Sequence, residues 1–150
     1  MNTIISKLKR ESTMLTLFLN IVTLGVYGAH YLQGQTNILN EELPEDQRFD
    51  PMVMWGIVGA AWISGILDFI GILQPLSPDL DLLSSAISLG VSIVYIAWSF
   101  KWRTMFYAAT KTQNVYPQQL NGFLLFLFGI YYINYRVNAM NDTIAAQQGR

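Results

Sequence analysis

Two long apolar segments, residues 52–73 and 82–102, constrain the fold more than any other feature of the chain. Each is long enough to form the helix of about 20 residues that crosses roughly 30 Å of hydrocarbon. Between them, the sequence QPLSPDLD contains Pro75 and Pro78, which stop helices and favour a tight turn. The two segments therefore predict a transmembrane helical hairpin.

Composition excludes several classes of function. Hydrophobic residues make up 52% of the chain and charged residues 13%, whereas a globular chain has about 25% charged residues. The net charge of -1 and the dispersed basic residues give no surface for nucleic acid. Because the chain has no cysteine and only one histidine, His30, we expect no metal and no cofactor.

Two outer segments, residues 14–32 and 120–135, are harder to place. Each is apolar for only about eleven residues, which as a helix reach roughly 16 Å. If all four segments span, the basic residues divide five against four, whereas if only the hairpin spans, all nine fall on one side. The second arrangement fits the positive-inside rule. It would place Trp55, Trp98 and Trp102 near one interface as an aromatic belt.

The prediction is therefore an all-α integral membrane protein with a central transmembrane helical hairpin, flanked by two broken helices that are re-entrant or spanning. We expect a single membrane domain over residues 1–150. Its parts are a basic segment (1–12), a first broken helix (13–40), an acidic loop (41–50), the hairpin (52–73 and 82–102) and a second broken helix with an amphipathic tail (119–146). The acidic loop is either solvated surface or a docking site for a basic partner.

The outer segments share the pattern G-x-Y-x3-Y-x5-N. Its members are Gly25, Tyr27, Tyr31 and Asn37 in the first copy, and Gly129, Tyr131, Tyr135 and Asn141 in the second. Because one copy precedes the hairpin and the other follows it, the order suits a pseudo-symmetric unit with glycine at each break. The alternative is an ordinary helix end that carries glycine and tyrosine.

After the second glycine, apolar residues recur at intervals of three and four: Ile130, Ile133, Val137, Met140 and Ile144. Asparagines and Asp142 occupy the other side, which is typical of an amphipathic helix. Such a helix lies on a membrane surface or docks in the groove of a partner.

The run LNIVTLGVYGAHYLQGQTNILNEEL resembles the TLGIY signature of the small bacterial membrane proteins grouped as domain of unknown function 4234, and GIYYINYRVNAMND resembles their closing segment. That family has no established activity, so the resemblance implies a fold and not a function. We expect a multi-pass protein of the bacterial inner (cytoplasmic) membrane.

Asp68 is the only acidic residue inside a predicted span, and an ionisable group within a membrane is a functional hypothesis by default. Folding the hairpin brings Asp68 near Ser84 and Ser88, which can donate hydrogen bonds to it. The alternatives are a hydrogen-bonded packing residue and a proton or cation site.

Gly56, Ala60 and Ser64 precede Asp68 at intervals of four residues, so they share one helix face. Small residues in such a row let membrane helices approach closely, and we interpret them as a helix-packing face. His30 is interpreted as a polar residue at the membrane edge and not as a ligand.

The chain shows no catalytic triad order, no phosphate-binding glycine loop and no paired carboxylates, so we do not expect an enzyme. The leading hypothesis is an accessory or structural subunit that packs against other membrane proteins, copies of itself and lipids. The alternatives are a homo-oligomeric channel or transporter-like unit with Asp68 on a polar path, and a membrane-shaping protein.

Overall fold

The computed structural model describes residues 4–112 and 119–148, and all regular structure within these ranges is helical. The helices are α1 (Ile4–Lys7), α2 (Thr13–Val22), α3 (Val26–Glu42), α4 (Pro51–Leu73), α5 (Pro78–Thr112) and α6 (Gly122–Gln148), with a short 3-10 helix at Glu45–Gln47. Helices α4 and α5 pack against each other as a hairpin.

Helix α4 coincides with the first predicted span, and local signals explain its bounds. Pro51 occupies the first turn, and the Asp50 carboxylate accepts hydrogen bonds from the backbone N–H groups of Met52 (2.7 Å) and Val53 (3.4 Å). Both α4 and α5 are long and apolar enough to cross a membrane by length and composition.

Helix α5 extends ten residues beyond the predicted end at Trp102. The burial of its side chains differs between its two halves. Its first half exposes large apolar side chains such as Leu82 (71%) and Leu89 (63%), whereas Trp98 and Trp102 in the second half are almost fully buried. The expected aromatic belt is therefore wrong for both tryptophans. Trp98 donates a hydrogen bond to Thr36 Oγ1 (3.0 Å) inside the protein.

The main core lies around the second half of α5. It contains buried apolar side chains from α1 and the residue that follows it, from α3, from α5 and from the second half of α6, including Ile4, Leu8, Tyr31, Leu39, Trp98, Trp102, Phe106, Ile133 and Val137. The hairpin thus projects from a helical bundle that the other segments complete. Large exposed apolar side chains concentrate on α2, on α4, on the first half of α5 and on the first arm of α6.

The first broken segment, α2 and α3, is a helical hairpin. Lys7 forms an ion pair with Glu42 at the open end, Lys9 N–H donates to Gln35 Oε1 (3.2 Å), and Asn20 Oδ1 accepts from Gly28 N–H (2.8 Å) near the turn. The turn contains Leu24 (φ 50°) and Gly25 (φ 91°). The chain therefore returns to the end of the molecule from which α2 starts.

The second broken segment, α6, also reverses direction. Its first arm runs from Gly122, which lies against Arg103, to Gly129, which lies against Ser99. Gly129 adopts φ 45° and ψ −117°, a conformation that breaks the helix. Beyond it, the second arm runs back along α2 until Asn141 Nδ2 donates to the Ile5 carbonyl (3.0 Å).

Candidate functional site

The hairpin brings the predicted polar residues around Asp68 together. Ser84 Oγ donates to Asp68 Oδ1 (3.1 Å), and Ser88 Oγ donates to Asp68 Oδ1 (3.3 Å) and Oδ2 (3.4 Å). The hydroxyl oxygens of Ser64 and Ser88 lie 2.8 Å apart. Residues at intervals of four share one face of a helix, and α4 and α5 run antiparallel. The side chains of Ser64, Asp68, Ser84 and Ser88 therefore form one cluster. Ser64 and Ser84 are buried, and Asp68 is half-buried.

A cavity of about 220 Å³ adjoins this cluster, and its third wall is not predictable from the spacing of residues within the hairpin. Asn20 of α2 lines it together with α4, α5 and two residues of the turn between α2 and α3, Leu24 and Gly25. The Tyr95 hydroxyl donates to the Gly25 carbonyl (3.1 Å) and fixes the turn against α5. Asn20 Nδ2 donates to the Tyr131 hydroxyl (2.6 Å), which connects the turn to the second broken segment.

The predicted helix-packing face is divided between two environments. Ser64 faces α5, Ala60 is half-buried, and Gly56 is exposed. A methyl group added at Gly56 would meet no described atom within 4 Å, and the same holds for Gly59 on α4 and Gly90 on α5. The open small residues of α4 are therefore Gly56 and Gly59.

The two copies of the repeated pattern agree at the glycine and diverge after it. Both glycines have positive φ. Tyr31 is buried, whereas Tyr135 in the matching position is 57% exposed. At the last position of the pattern the burial is reversed. Asn37 in the first copy is exposed, and Asn141 in the second copy is buried.

A buried polar network joins the two broken segments at Asn134, a residue outside the repeated pattern. Asn134 Nδ2 donates to the Tyr31 hydroxyl (3.0 Å), and its Oδ1 accepts from Thr13 Oγ1 (2.7 Å). Gln35 Nε2 donates to the same tyrosine hydroxyl (2.7 Å). Burial raises the pKa of Tyr31, so this phenol remains a neutral hydrogen-bonding group. The sequence feature that indicates such a network is an asparagine placed next to the apolar residues that recur along α6.

Tyr27 and Tyr131, the first tyrosines of the two copies, have different polar partners. The Tyr27 hydroxyl donates to the Glu11 carboxylate, whereas the Tyr131 hydroxyl accepts from Asn20. Burial and the neighbouring Glu11 carboxylate both raise the pKa of Tyr27.

His30 contacts a residue on the hairpin. Trp62 Nε1 donates to His30 Nε2 (3.0 Å), and the two rings meet edge to face with centroids 6.2 Å apart. They lie at an apolar cavity of about 430 Å³ between α4 and the start of α3, lined by side chains such as Val26 and Phe69.

The amphipathic tail packs inside the protein. Ile130, Ile133, Val137 and Met140 are buried in the main core, and Ile144 packs against it. The apolar face of this helix is therefore occupied by the chain itself and is not available to a membrane surface or a partner's groove.

Comparison of the chain with models of known families, with curated proteins and with solved structures found no match. The resemblance of the TLGVY and GIYYINY motifs to the family named above stays a prediction. Function must therefore be argued from the geometry.

Proposed function

We propose that the chain is a multi-pass protein of the bacterial inner membrane in which only α4 and α5 cross the bilayer. The two broken segments would insert from one side and return. This arrangement would keep every Lys and Arg on one side of the membrane, since none lies in the turn between α4 and α5. It is supported by the exposed apolar side chains on both tips, which include Phe18 and Ile21 on α2 and Phe126 and Leu127 on α6.

Within that membrane, the chain would be a non-enzymatic accessory or structural subunit that packs α4 against another membrane helix. The observation that carries this proposal is the pair of open glycines, Gly56 and Gly59. Glycine costs about 1 kcal/mol relative to alanine inside a helix. Neither glycine relieves a close contact within the described chain, so a helix from a second copy or another subunit is the partner that would use them.

The rest of this face fits a helix contact. Gly56, Gly59, Ala60 and Ile63 lie three or four residues apart, so they share one side of α4. Ile63 is 55% exposed beside the glycines and would supply apolar contact area. Van der Waals packing of this kind drives helix association in lipid.

The test is native electrophoresis of the chain extracted from its own membrane in a mild detergent. We expect an assembly larger than one chain, and we expect Gly59→Leu to shift most of the protein to the single-chain position. Gly34→Leu is the matched control, because Gly34 on α3 also has open space around it but lies outside the hairpin. Wild-type protein that migrates as a single chain, or an assembly that tolerates Gly59→Leu, would contradict the proposal.

The two apolar tips favour a second candidate function, membrane shaping. Two short helical hairpins that insert from one side would expand one leaflet and bend the bilayer. Reconstitution at high protein density tests this directly, because shaping predicts tubules and unchanged round vesicles contradict it. Phe18→Ser together with Phe126→Ser should remove the effect, since both side chains are exposed at the tips.

A further inference from the structure

The cavity beside Asp68 presents side-chain oxygen atoms from two helices. Helix α4 contributes the Asp68 carboxylate and the Ser64 hydroxyl, and α5 contributes the Ser88 hydroxyl. Leu24 and Gly25, in the turn between α2 and α3, close the cavity on its third side. Oxygen atoms of carboxylates, hydroxyls and carbonyls are the ligands that hard cations prefer.

The negative charge at this cavity has no positive side chain to balance it. No Lys, Arg or His lines the cavity among the described residues. Asp68 takes part in none of the ion pairs found within the described residues, 4–112 and 119–148. The Asp68 carboxylate therefore has hydroxyl partners but no counter-charge among the side chains that line the cavity, and a bound cation would supply one.

We propose that the cavity binds one Na⁺ ion. One carboxylate balances one positive charge. The described residues hold no group of three or more His, Asp or Glu side chains of the kind that divalent metals use. The volume of about 220 Å³ leaves room for the ion and several waters, each of which occupies about 30 Å³.

The hydroxyl chemistry permits Asp68 and the ion to share the same serine. A serine hydroxyl has one donor hydrogen and two acceptor lone pairs. Ser88 therefore donates to Asp68 and turns a lone pair toward the ion, while the neighbouring Ser64 hydroxyl offers a second ligand oxygen.

The first test is carbodiimide labelling of the purified, lipid-reconstituted chain, read by intact mass and peptide mapping. Dicyclohexylcarbodiimide reacts with carboxyl groups in apolar surroundings, so bound Na⁺ should protect Asp68. Labelling should slow by a factor of 1 + [Na⁺]/Kd, about tenfold when NaCl is about ten times the Kd. Choline chloride at equal ionic strength should give no protection.

Two matched serine variants test whether Na⁺ protects Asp68 by binding at this cavity. Ser88→Ala removes a ligand oxygen, so Asp68 should still label but lose most of its protection by Na⁺. Ser85→Ala changes the adjacent, exposed serine that does not line the cavity, and protection should remain. Asp68→Asn should abolish the labelled peptide. Equal labelling rates in NaCl and choline chloride, or protection by K⁺ alone, would overturn the proposal.

A second measurement covers the case in which the reagent does not reach the carboxyl group. Na⁺ that binds the folded chain raises its melting temperature in wild type and not in Asp68→Asn. Equal melting temperatures in NaCl and choline chloride for the wild-type chain would also overturn the proposal. Both measurements use one purified chain and need no partner helix, so their failure is distinguishable from failure of the assembly through Gly56 and Gly59.

Discussion

The two broken segments begin alike and end differently. Each turns at a glycine with positive φ, Gly25 or Gly129. Four residues after the first tyrosine, however, Tyr31 is buried in the core and Tyr135 faces outward. The difference arises because α3 packs against both α4 and α5, whereas the second arm of α6 buries Asn134 and Asn141 against α2 and α1. The repeated pattern thus accounts for the turns but not for the burial of the residues that follow.

The largest expected effect comes from the residue that joins the two segments. Asn134→Leu leaves the half-buried Thr13 hydroxyl without its acceptor and removes one of the two donors to the buried Tyr31 hydroxyl. The unsatisfied group costs about 1–3 kcal/mol and the lost hydrogen bond about 1 kcal/mol, so the free energy of unfolding should fall by about 3 kcal/mol. Urea unfolding in detergent micelles measures this.

Asn37→Leu is the control for that measurement, because Asn37 is exposed. Its effect should remain within about 0.5 kcal/mol. Equal losses of stability from Asn134→Leu and Asn37→Leu would mean that the two segments are not joined through Asn134.

A smaller difference is expected between the two glycines. Gly129 has φ 45° and ψ −117°, a region that side chains strongly disfavour, whereas Gly25 has φ 91° and ψ −16° and follows Leu24, which itself has positive φ. Gly129→Ala should therefore cost about 2–3 kcal/mol and Gly25→Ala about 1 kcal/mol. Thermal unfolding of the two variants checks the order, and a larger loss at Gly25 would contradict it.

The smallest effect concerns the paired tyrosines. Tyr31→Phe removes the hydroxyl that accepts hydrogen bonds from Gln35 and Asn134, and the cost should be about 1–2 kcal/mol. Tyr135→Phe changes an exposed side chain and should alter stability by less than about 0.5 kcal/mol. Comparison of both variants with wild type in the same unfolding assay shows whether the copies differ as described, and equal losses would refute the difference.

The sequence predicted the parts of the fold that depend on length and on short spacing. Residues 52–73 were recognisable as a helix by apolar length, and α4 occupies Pro51–Leu73. Ser64 and Asp68 are four residues apart, and so are Ser84 and Ser88. This spacing predicts one cluster between the facing sides of the hairpin, and the structure contains it. Both are local properties that hold whatever the rest of the chain does.

The parts that the sequence did not predict depend on contacts between distant segments. Trp98 and Trp102 are of the residue type that forms aromatic belts at membrane interfaces. They are nevertheless buried, because α1 and α3 cover them. The network at Asn134 needs Thr13 and Tyr31, which are more than a hundred residues away in the chain. No periodicity within one helix carries that information.

The central claim is that only α4 and α5 cross the membrane and that both broken segments return to one side. Since the chain has no cysteine, single cysteines at Gln47, Ser77, Gln119 and Thr143 report alone, and all four positions are exposed. Each would be probed on intact cells with a membrane-impermeant thiol reagent. We predict that Ser77→Cys alone is labelled. Labelling of Gln47→Cys and Gln119→Cys with protection of Ser77→Cys and Thr143→Cys would show that all four segments span, and would contradict the proposed topology.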